Sequence, residues 1–210
     1  MAVSANLDIE VRVTGSGSSD NNGGGFVRGA SGTDYSDQDS PQLAVTDGAT
    51  ADGTTVTLTS AAAGFTSAMV GNLIQMVSGT NVLAGFYEIK VFNSTSSVDL
   101  DRTCSDGTAV ASGVGNAGGA LSSPGMIGAL LNASTQTSGG HNAHVKEGTY
   151  TLTTASTNVS GGVISMTNIR NWSMFGYKTA RLDNDITGRP IWKTDGVVVP
   201  TQFISMVNGT

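Results

Sequence analysis

Charged side chains are scarce in this sequence. Only 12% of its 210 residues are Asp, Glu, Lys or Arg, which is about half the usual share. The hydrophobic fraction of 38% is still large enough to form a core, and this argues against a disordered chain. The net charge is −6, and the ten Lys and Arg residues are scattered. Because phosphate binding requires clustered cations, we expect no nucleic-acid partner.

Cysteine and long apolar runs are lacking too. Cys104 is the single cysteine, so an intrachain disulfide is excluded. Its neighbours, Ser105-Asp106-Gly107, predict a loop in which the thiol is incidental. No run approaches the ~20 apolar residues that cross a bilayer. The first residues, MAVSANLDIEVRV, lack the basic and apolar regions of a signal peptide. We therefore expect no membrane partner and, if the protein works outside a cell, release by lysis or a non-classical route.

Glycine, by contrast, is abundant, with 29 residues. Little charge combined with much Gly, Ser, Thr and Val is typical of turn-rich, all-β proteins. We predict three regions. Residues 1–44 hold a strand and a Gly/Ser/Asn-rich loop. Residues 45–104 form a small antiparallel β module. Residues 105–210 contain a connector, a capping helix and the first coils of a parallel β-helix.

The first two regions are predicted from alternating polarity. The segment LDIEVRV at 7–13 alternates and predicts a strand, which the loop TGSGSSDNNGGG ends. In the second region, four short strands separated by turn signals predict an antiparallel meander, closed or half closed into a barrel. A helical turn capped by Thr66 fits between two of them. The four strands are 54–59, 73–77, 86–92 and 97–100.

The third region is predicted to begin with an irregular, Gly-rich connector at 104–121, followed by a helix. Ser123 suits the N-cap of this helix and Pro124 its first position. The apolar side chains then form one stripe that can cover the open end of a β-helix. The stripe consists of Met126, Ile127, Leu130 and Leu131.

The stretch HNAHVKEGTYTL at 141–152 predicts two strands joined by a sharp bend at Glu147-Gly148, as in a parallel β-helix. Further short strands follow without hairpin signals, and three strands make one coil. The six predicted strands are 143–146, 149–153, 162–166, 172–177, 190–194 and 203–207. Their predicted inward residues are Val145, Tyr150, Leu152, Ile164, Met166, Met174, Phe175, Ile191, Ile204 and Met206.

Four segments together resemble one family. They are EVRVTGSGSSDNNGGGF, FTSAMVGNLIQM with FYEIKVF, GGALSSPG, and VKEGTYTL. They are similar to the N-terminal part of right-handed parallel β-helix proteins of the pectate-lyase-like superfamily, as found in bacteriophages and environmental bacteria. The resemblance implies a β-helix. Because so short a β-helix is not expected to be stable alone, we expect it to associate, as a homotrimer. The same fold carries tailspikes, fibres, polysaccharide lyases and adhesins, so it does not choose among these functions.

Three groups of side chains could support chemistry. Asp34, Asp37 and Asp39 have spacing that could hold Ca²⁺, but they lack the Gly and Glu of an EF-hand loop, so a solvated, Asx-turn-rich loop is preferred. His141 and His144 have a spacing seen in metal sites, but without a third ligand nearby a surface pair at a β-edge is preferred. A third group lies in RLDNDITGRPIWKTDG, where a solvated charged turn is preferred over a lyase or hydrolase site. It comprises Asp183, Asp185, Asp195, Arg181, Arg189 and Lys193.

Together with the low charge and the short β-helix, the resemblance implies a non-enzymatic structural protein of a phage virion, either a tail-fibre or tailspike component or a capsid-decorating protein. No catalytic residue, cofactor or metal is assigned. Its partners would be copies of itself, other virion proteins and host surface polysaccharide. The alternative is the N-terminal part of a secreted, polysaccharide-active β-helix enzyme, with a bacterial surface adhesin as a third hypothesis. A β-helix that stops at Thr210 is short for the family, so either a longer chain or a partner is expected to cover its end.

Overall fold

The computed structural model describes residues 6–15, 22–123, 125–132, 140–152, 162–167, 172–181, 183, 190–194 and 202–207. These residues form β-strands with one short 3₁₀ turn and one α-helix. The strands are β1 (Leu7–Val11), β2 (Gly25–Val27), β3 (Leu43–Gly48), β4 (Thr57–Thr59), β5 (Leu73–Thr80), β6 (Gly85–Ser94), β7 (Ser97–Leu100), β8 (Ala111–Ala117), β9 (His141–Lys146), β10 (Thr149–Leu152), β11 (Gly162–Thr167), β12 (Trp172–Tyr177), β13 (Ile191–Thr194) and β14 (Gln202–Val207). The helix α1 spans Gly125–Asn132. The all-β class is confirmed.

The middle of the chain folds into a six-stranded antiparallel sheet in the order β3-β8-β5-β6-β7-β4. Its two outer strands approach each other where Ala49 and Thr59 exchange two backbone hydrogen bonds of 2.9 Å. The sheet is therefore almost closed into a barrel, as the turn spacing predicts. The 3₁₀ turn Ser67–Met69 occupies the predicted position, but Thr66 forms no side-chain cap.

The barrel has its own apolar core. Alternate residues of each strand face inward, because strand side chains point to opposite faces in turn. Ile74, Met76, Tyr87 and Ile89 are at most 1% exposed. Cys104 lies outside the strands, in a loop as predicted, but its side chain is buried in this core.

The predicted connector at 104–121 is wrong over Ala111–Ala117. This segment is β8, which pairs with both β3 and β5 in the middle of the barrel sheet. Its glycines are required by close packing: a Cβ on Gly115 would lie 2.5 Å from the carbonyl oxygen of Gln75. The high glycine content, which suggests irregular structure, here allows β8 to pack closely between its neighbouring strands. The barrel therefore extends beyond 45–104 at both ends.

The remaining strands form three smaller sheets. One has the order β12-β9-β1-β2, in which β1, β9 and β12 run parallel and β2 is antiparallel to β1. The other two are the parallel pairs β10–β13 and β11–β14. The predicted strand positions are correct to within two residues for β9 to β14. Parallel pairs in separate sheets do not by themselves establish a parallel β-helix.

The second core lies beneath these sheets. Leu7, Ile9 and Val11 of β1 are fully buried in it, and so is Ile127 of α1. The predicted helix and its apolar stripe are thus confirmed. Barrel residues Leu73 and Phe86 point out of the barrel into this core and join the two halves. Its buried members are Leu7, Ile9, Val11, Leu73, Phe86, Leu121, Ile127, Leu130, Leu131, Ala143, Val145 and Tyr150.

The predicted inward residues are correct only in part. Val145 and Tyr150 are buried, and Met174 packs partly against the core. The inward orientation predicted for Phe175 and Ile191 is wrong, because these side chains are 38% and 60% exposed. Phe175 follows Met174 directly, and neighbouring strand residues cannot share a face. The side chains at positions 152, 164, 166, 204 and 206 lie outside the described residues.

Candidate functional site

Among the described residues, a concentration of ionic groups lies on the outer face of β1 and centres on Glu10. This residue is fully buried. Its Oε1 accepts a hydrogen bond of 2.9 Å from Arg12 Nε and another from the Tyr177 hydroxyl, while its Oε2 accepts one of 2.6 Å from Arg181 Nε. Alternation in LDIEV directs Glu10 away from the apolar core, and β9 and β12 carry Tyr177 to the same face.

An acidic loop covers this arrangement. Arg181 Nη1 lies 2.5 Å from Asp34 Oδ2, and its Nη2 donates to Ser36 Oγ at 2.9 Å. Arg12 pairs with Asp37 and, at 3.2 Å, with Asp39. We call Glu10, Arg12, Arg181 and these three aspartates the ionic cluster. The three aspartates whose spacing could hold Ca²⁺ are thus partners of two arginines.

The loop is held in place by its own turn and by the barrel. Asp34 Oδ1 accepts hydrogen bonds from the backbone and hydroxyl of Ser36, which is the predicted Asx-turn. Asn72, at the start of β5, is 1% exposed and binds the loop with both ends of its amide. It donates to Thr33 O at 2.7 Å and accepts from Tyr35 N at 2.9 Å. The barrel therefore positions the acidic loop over β1.

The charges in the cluster stabilise one another. Burial alone would lower the pKa of Arg181, but the negative charges of Glu10 and Asp34 outweigh it and raise that pKa. Arg12 behaves similarly: burial lowers its pKa, and the hydrogen bond and charge of Glu10 raise it overall. For Asp39, burial raises the pKa, but hydrogen bonds with Thr14 and Arg12 bring it below its usual value.

This geometry is suited to holding strands together and unsuited to proton transfer. Both oxygens of Glu10 are occupied, and neither is open to a substrate. Tyr177 is also a poor acid, because burial and then its hydrogen bond to Glu10 raise the pKa of the phenol. Among the described residues, no group of three or more His, Cys, Asp or Glu side chains could hold a metal ion.

The two histidines are placed differently from the prediction. β9 is flanked by β1 and β12, so it is not a sheet edge, and His141 and His144 are 1% and 3% exposed. The surface-pair interpretation is therefore wrong. His141 Nδ1 accepts a hydrogen bond from Leu7 N at 3.2 Å. His144 faces the other side, 3.5 Å from Asp8 Oδ1, and its ring stacks on Phe175.

The charged turn after β12 is only partly as predicted. Asp183 Oδ2 accepts from three successive backbone N–H groups, those of Lys178, Thr179 and Ala180, so this carboxylate closes the turn. Arg181 is not solvated, since its side chain is 15% exposed and lies in the ionic cluster. Lys193 is exposed on β13. Asp185, Arg189 and Asp195 lie outside the described residues.

A cavity of about 270 Å³ lies near the N-terminal end of α1. Its lining from β10 consists of Thr149, Tyr150 and Thr151, and Val13, Ser122 and Ser123 complete it. Tyr150 already donates to Lys146 O at 2.7 Å, and burial raises the pKa of its hydroxyl. This lining contains no carboxylate, histidine or cation, so it lacks a general base.

Sequence reasoning missed Glu10, Arg12 and Tyr177 as members of a cluster. Charged residues alternating with Ile and Val on a strand normally indicate a solvated face, and no local signal marks the loop that covers them.

Comparison with protein-family models, curated proteins and solved structures returned no match. Among the described residues, no helix is long and apolar enough to span a membrane.

Proposed function

We propose that this chain is a non-enzymatic structural protein of a phage virion, and that its C-terminal half starts a parallel β-helix. The observation that carries the proposal is the order of pairing. Three successive strands, β9, β10 and β11, each pair in parallel with the corresponding member of the next three, β12, β13 and β14. Repetition of three strands in the same order is the arrangement of two stacked coils.

A structural role is supported by how the chain uses its ionic groups. Glu10, Arg12 and Arg181 bind one another and the acidic loop, so they connect residues far apart in sequence. Such contacts stabilise a rigid fold and leave no activated base among them. The low overall charge and the almost cysteine-free chain suit a durable β-rich particle component. Tail fibre, tailspike and capsid decoration all agree with this role.

The proposed partners are copies of the same chain and other virion proteins. β12, β13 and β14 are each paired on one side only among the described residues. Unpaired strand edges form backbone hydrogen bonds with any suitable strand, so they favour association. Host surface polysaccharide remains the proposed ligand of the assembled particle, and nucleic acid is not proposed as a partner because the chain is acidic.

Particle association is the direct test. A phage lysate from the source of this sequence would be separated on a density gradient, and an antibody against the chain would locate it. We expect the chain to travel with intact particles and to remain there after a high-salt wash. A chain found only in the soluble fractions would refute the virion role. An unrelated soluble host protein serves as the control for trapping.

Catalysis is tested separately. Purified chain is incubated with polygalacturonate and with the host's surface polysaccharides, and reducing or unsaturated ends are measured. We expect none. Cleavage by the native chain that disappears in the double variant Asp183→Asn, Asp185→Asn, with unchanged folding, would establish the alternative function, a polysaccharide-active enzyme.

A further inference from the structure

His141 fastens the first strand of the chain to the second core. Its Nδ1 accepts the hydrogen bond from the backbone N–H of Leu7, at the beginning of β1. The ring faces the same side of β9 as Ala143 and Val145, which are fully buried. Trp172 is its register partner on β12. The contact therefore joins residues that are 134 positions apart in the sequence.

This contact requires a neutral imidazole. An acceptor nitrogen carries no proton, so the single ring proton lies on Nε2, which is buried and has no hydrogen-bond partner among the described residues. A second proton on Nδ1 would face the N–H of Leu7, and two donors cannot bond. The ring would then be a buried cation without a counter-ion, which is costly.

The charged surroundings do not offer compensation. The charged side chain that acts on the pKa of His141 is Arg28, which follows β2. Its Nη2 donates to Leu7 O at 3.2 Å and also binds Gly140 O. Its positive charge opposes protonation. Asp8 and His144 belong to the opposite faces of β1 and β9, where they contact each other. The core residues that β12 and α1 supply, including Trp172, are uncharged.

We propose that His141 is an acid-sensitive fastening: protonation breaks its bond to Leu7 and releases the beginning of β1 from β9, while the barrel remains folded. The barrel is a separate antiparallel sheet with its own core, and no histidine belongs to it. The proposal does not depend on the virion role.

The expected size of the effect follows from linkage. Burial, followed by the charge of Arg28, lowers the pKa of His141 from 6.5 to about 4. A histidine whose folded pKa is lowered contributes stability above its ordinary pKa and loses it as the pH falls toward the folded value. Between pH 7.5 and pH 4.5 the opening constant of β1 should rise roughly 70-fold.

Amide hydrogen exchange of the whole chain, resolved by NMR, tests the proposal. We expect the protection factor of the Leu7 amide, corrected for the intrinsic rate, to fall by this factor between pH 7.5 and 4.5. The Ile89 amide, which donates to Asn72 O in the barrel, should change far less. Equal losses at both amides would mean global acid unfolding and would refute a local release. An unchanged Leu7 amide would refute the proposal as well.

The matched variant is His141→Asn, which keeps an acceptor oxygen near the position of Nδ1 but does not titrate. Its Leu7 amide should show the same protection at both pH values. If this variant does not fold, titration of the His141 ring protons in the native chain decides the matter. A midpoint near 4 supports the fastening, and a midpoint near 6.5 overturns it.

Discussion

Glu10 shows how a single residue can connect distant parts of this chain. Its carboxylate is fully buried and binds Arg12, which directly follows β1, and Arg181 from the turn after β12. Replacing a complete buried ion pair can be neutral, whereas removing one partner leaves a desolvated charge. Removing one of these arginines should therefore lower the free energy of unfolding more than removing an exposed charged side chain does.

Arg181→Met is the first prediction. It removes the Nε contact to Glu10 and the contact to Asp34, so we expect a loss of about 3 kcal/mol in the free energy of unfolding, measured by urea denaturation. Lys193→Met, an exposed cation on β13, is the control and should change stability by about 0.5 kcal/mol or less. Similar losses for both variants would contradict a buried, strand-joining role for Arg181.

Glu88 provides a second prediction, in which the substitution stabilises the fold. It is 8% exposed on β6, and burial, with the nearby charge of Asp101, raises its pKa. A carboxyl group with a raised folded pKa destabilises the fold where it is ionised, and the penalty disappears as the pH falls to the ordinary glutamate range. Glu88→Gln should therefore raise the melting temperature at pH 7 and have little effect near pH 4. The exposed Glu147→Gln is the control; a lower melting temperature for Glu88→Gln at pH 7 would contradict the expectation.

The ionic cluster was only half predictable from sequence. The sequence predicts a solvated, Asx-turn-rich loop at Asp34, Asp37 and Asp39. The Asx-turn at Asp34 is present, but arginines bind all three carboxylates. Their cationic partners could not be found, because Arg181 lies 147 residues after Asp34 and meets it only through the parallel pairing of β12 with β9. Carboxylates at close spacing look the same whether an ion or an arginine binds them.

At the scale of elements, prediction succeeds where turn signals bound an apolar pattern. α1 and β9 to β14 are nearly correct for this reason. The bend before β10 also has the predicted glycine, since Gly148 has a φ of 157°, which L side chains rarely adopt. β8 fails because its sequence, ASGVGNA, is determined by the strands on either side of it. The prediction that β9 is an edge strand is wrong too, because β1, which pairs with it, is far away in the sequence.

The glycines of β8 give the third prediction. In Gly115→Ala the new Cβ would lie 2.5 Å from Gln75 O and 3.2 Å from Met76 Cα, and backbone atoms cannot move aside without breaking the β5–β8 pairing. We expect a loss of about 2 kcal/mol or more, measured by thermal or urea unfolding. Gly85→Ala on β6 is the matched control, because its nearest contact would be an ordinary 3.7 Å. Equal stabilities of the two variants would show that β8 can shift.

At the scale of the whole molecule, two cores are joined through the outward-facing barrel residues Leu73 and Phe86, and β1 belongs to the second core. β1 is the least predictable element in this respect. Its pattern predicts a strand, but its parallel partner begins at His141 and its antiparallel partner is the three-residue β2. Pairing over such distances leaves no periodicity in the sequence. In this sheet β1 is the first of three parallel strands, followed by β9 and then β12.

The last prediction concerns assembly, since β2 lies on one side of this series and no described strand lies beyond β12. The β-helix that we propose would have only two coils here, which bury few strand pairs, and solenoids generally require about three repeats for stability. Phe175 and Ile191 add exposed apolar surface on β12 and β13. We expect residues 1–210 to form a homotrimer at micromolar concentration in analytical ultracentrifugation. Ile191→Lys should weaken the assembly, whereas Leu83→Lys, at a 50% exposed barrel position, should not. A soluble, cooperatively melting monomer would show that the fold is stable without a partner and would contradict this prediction.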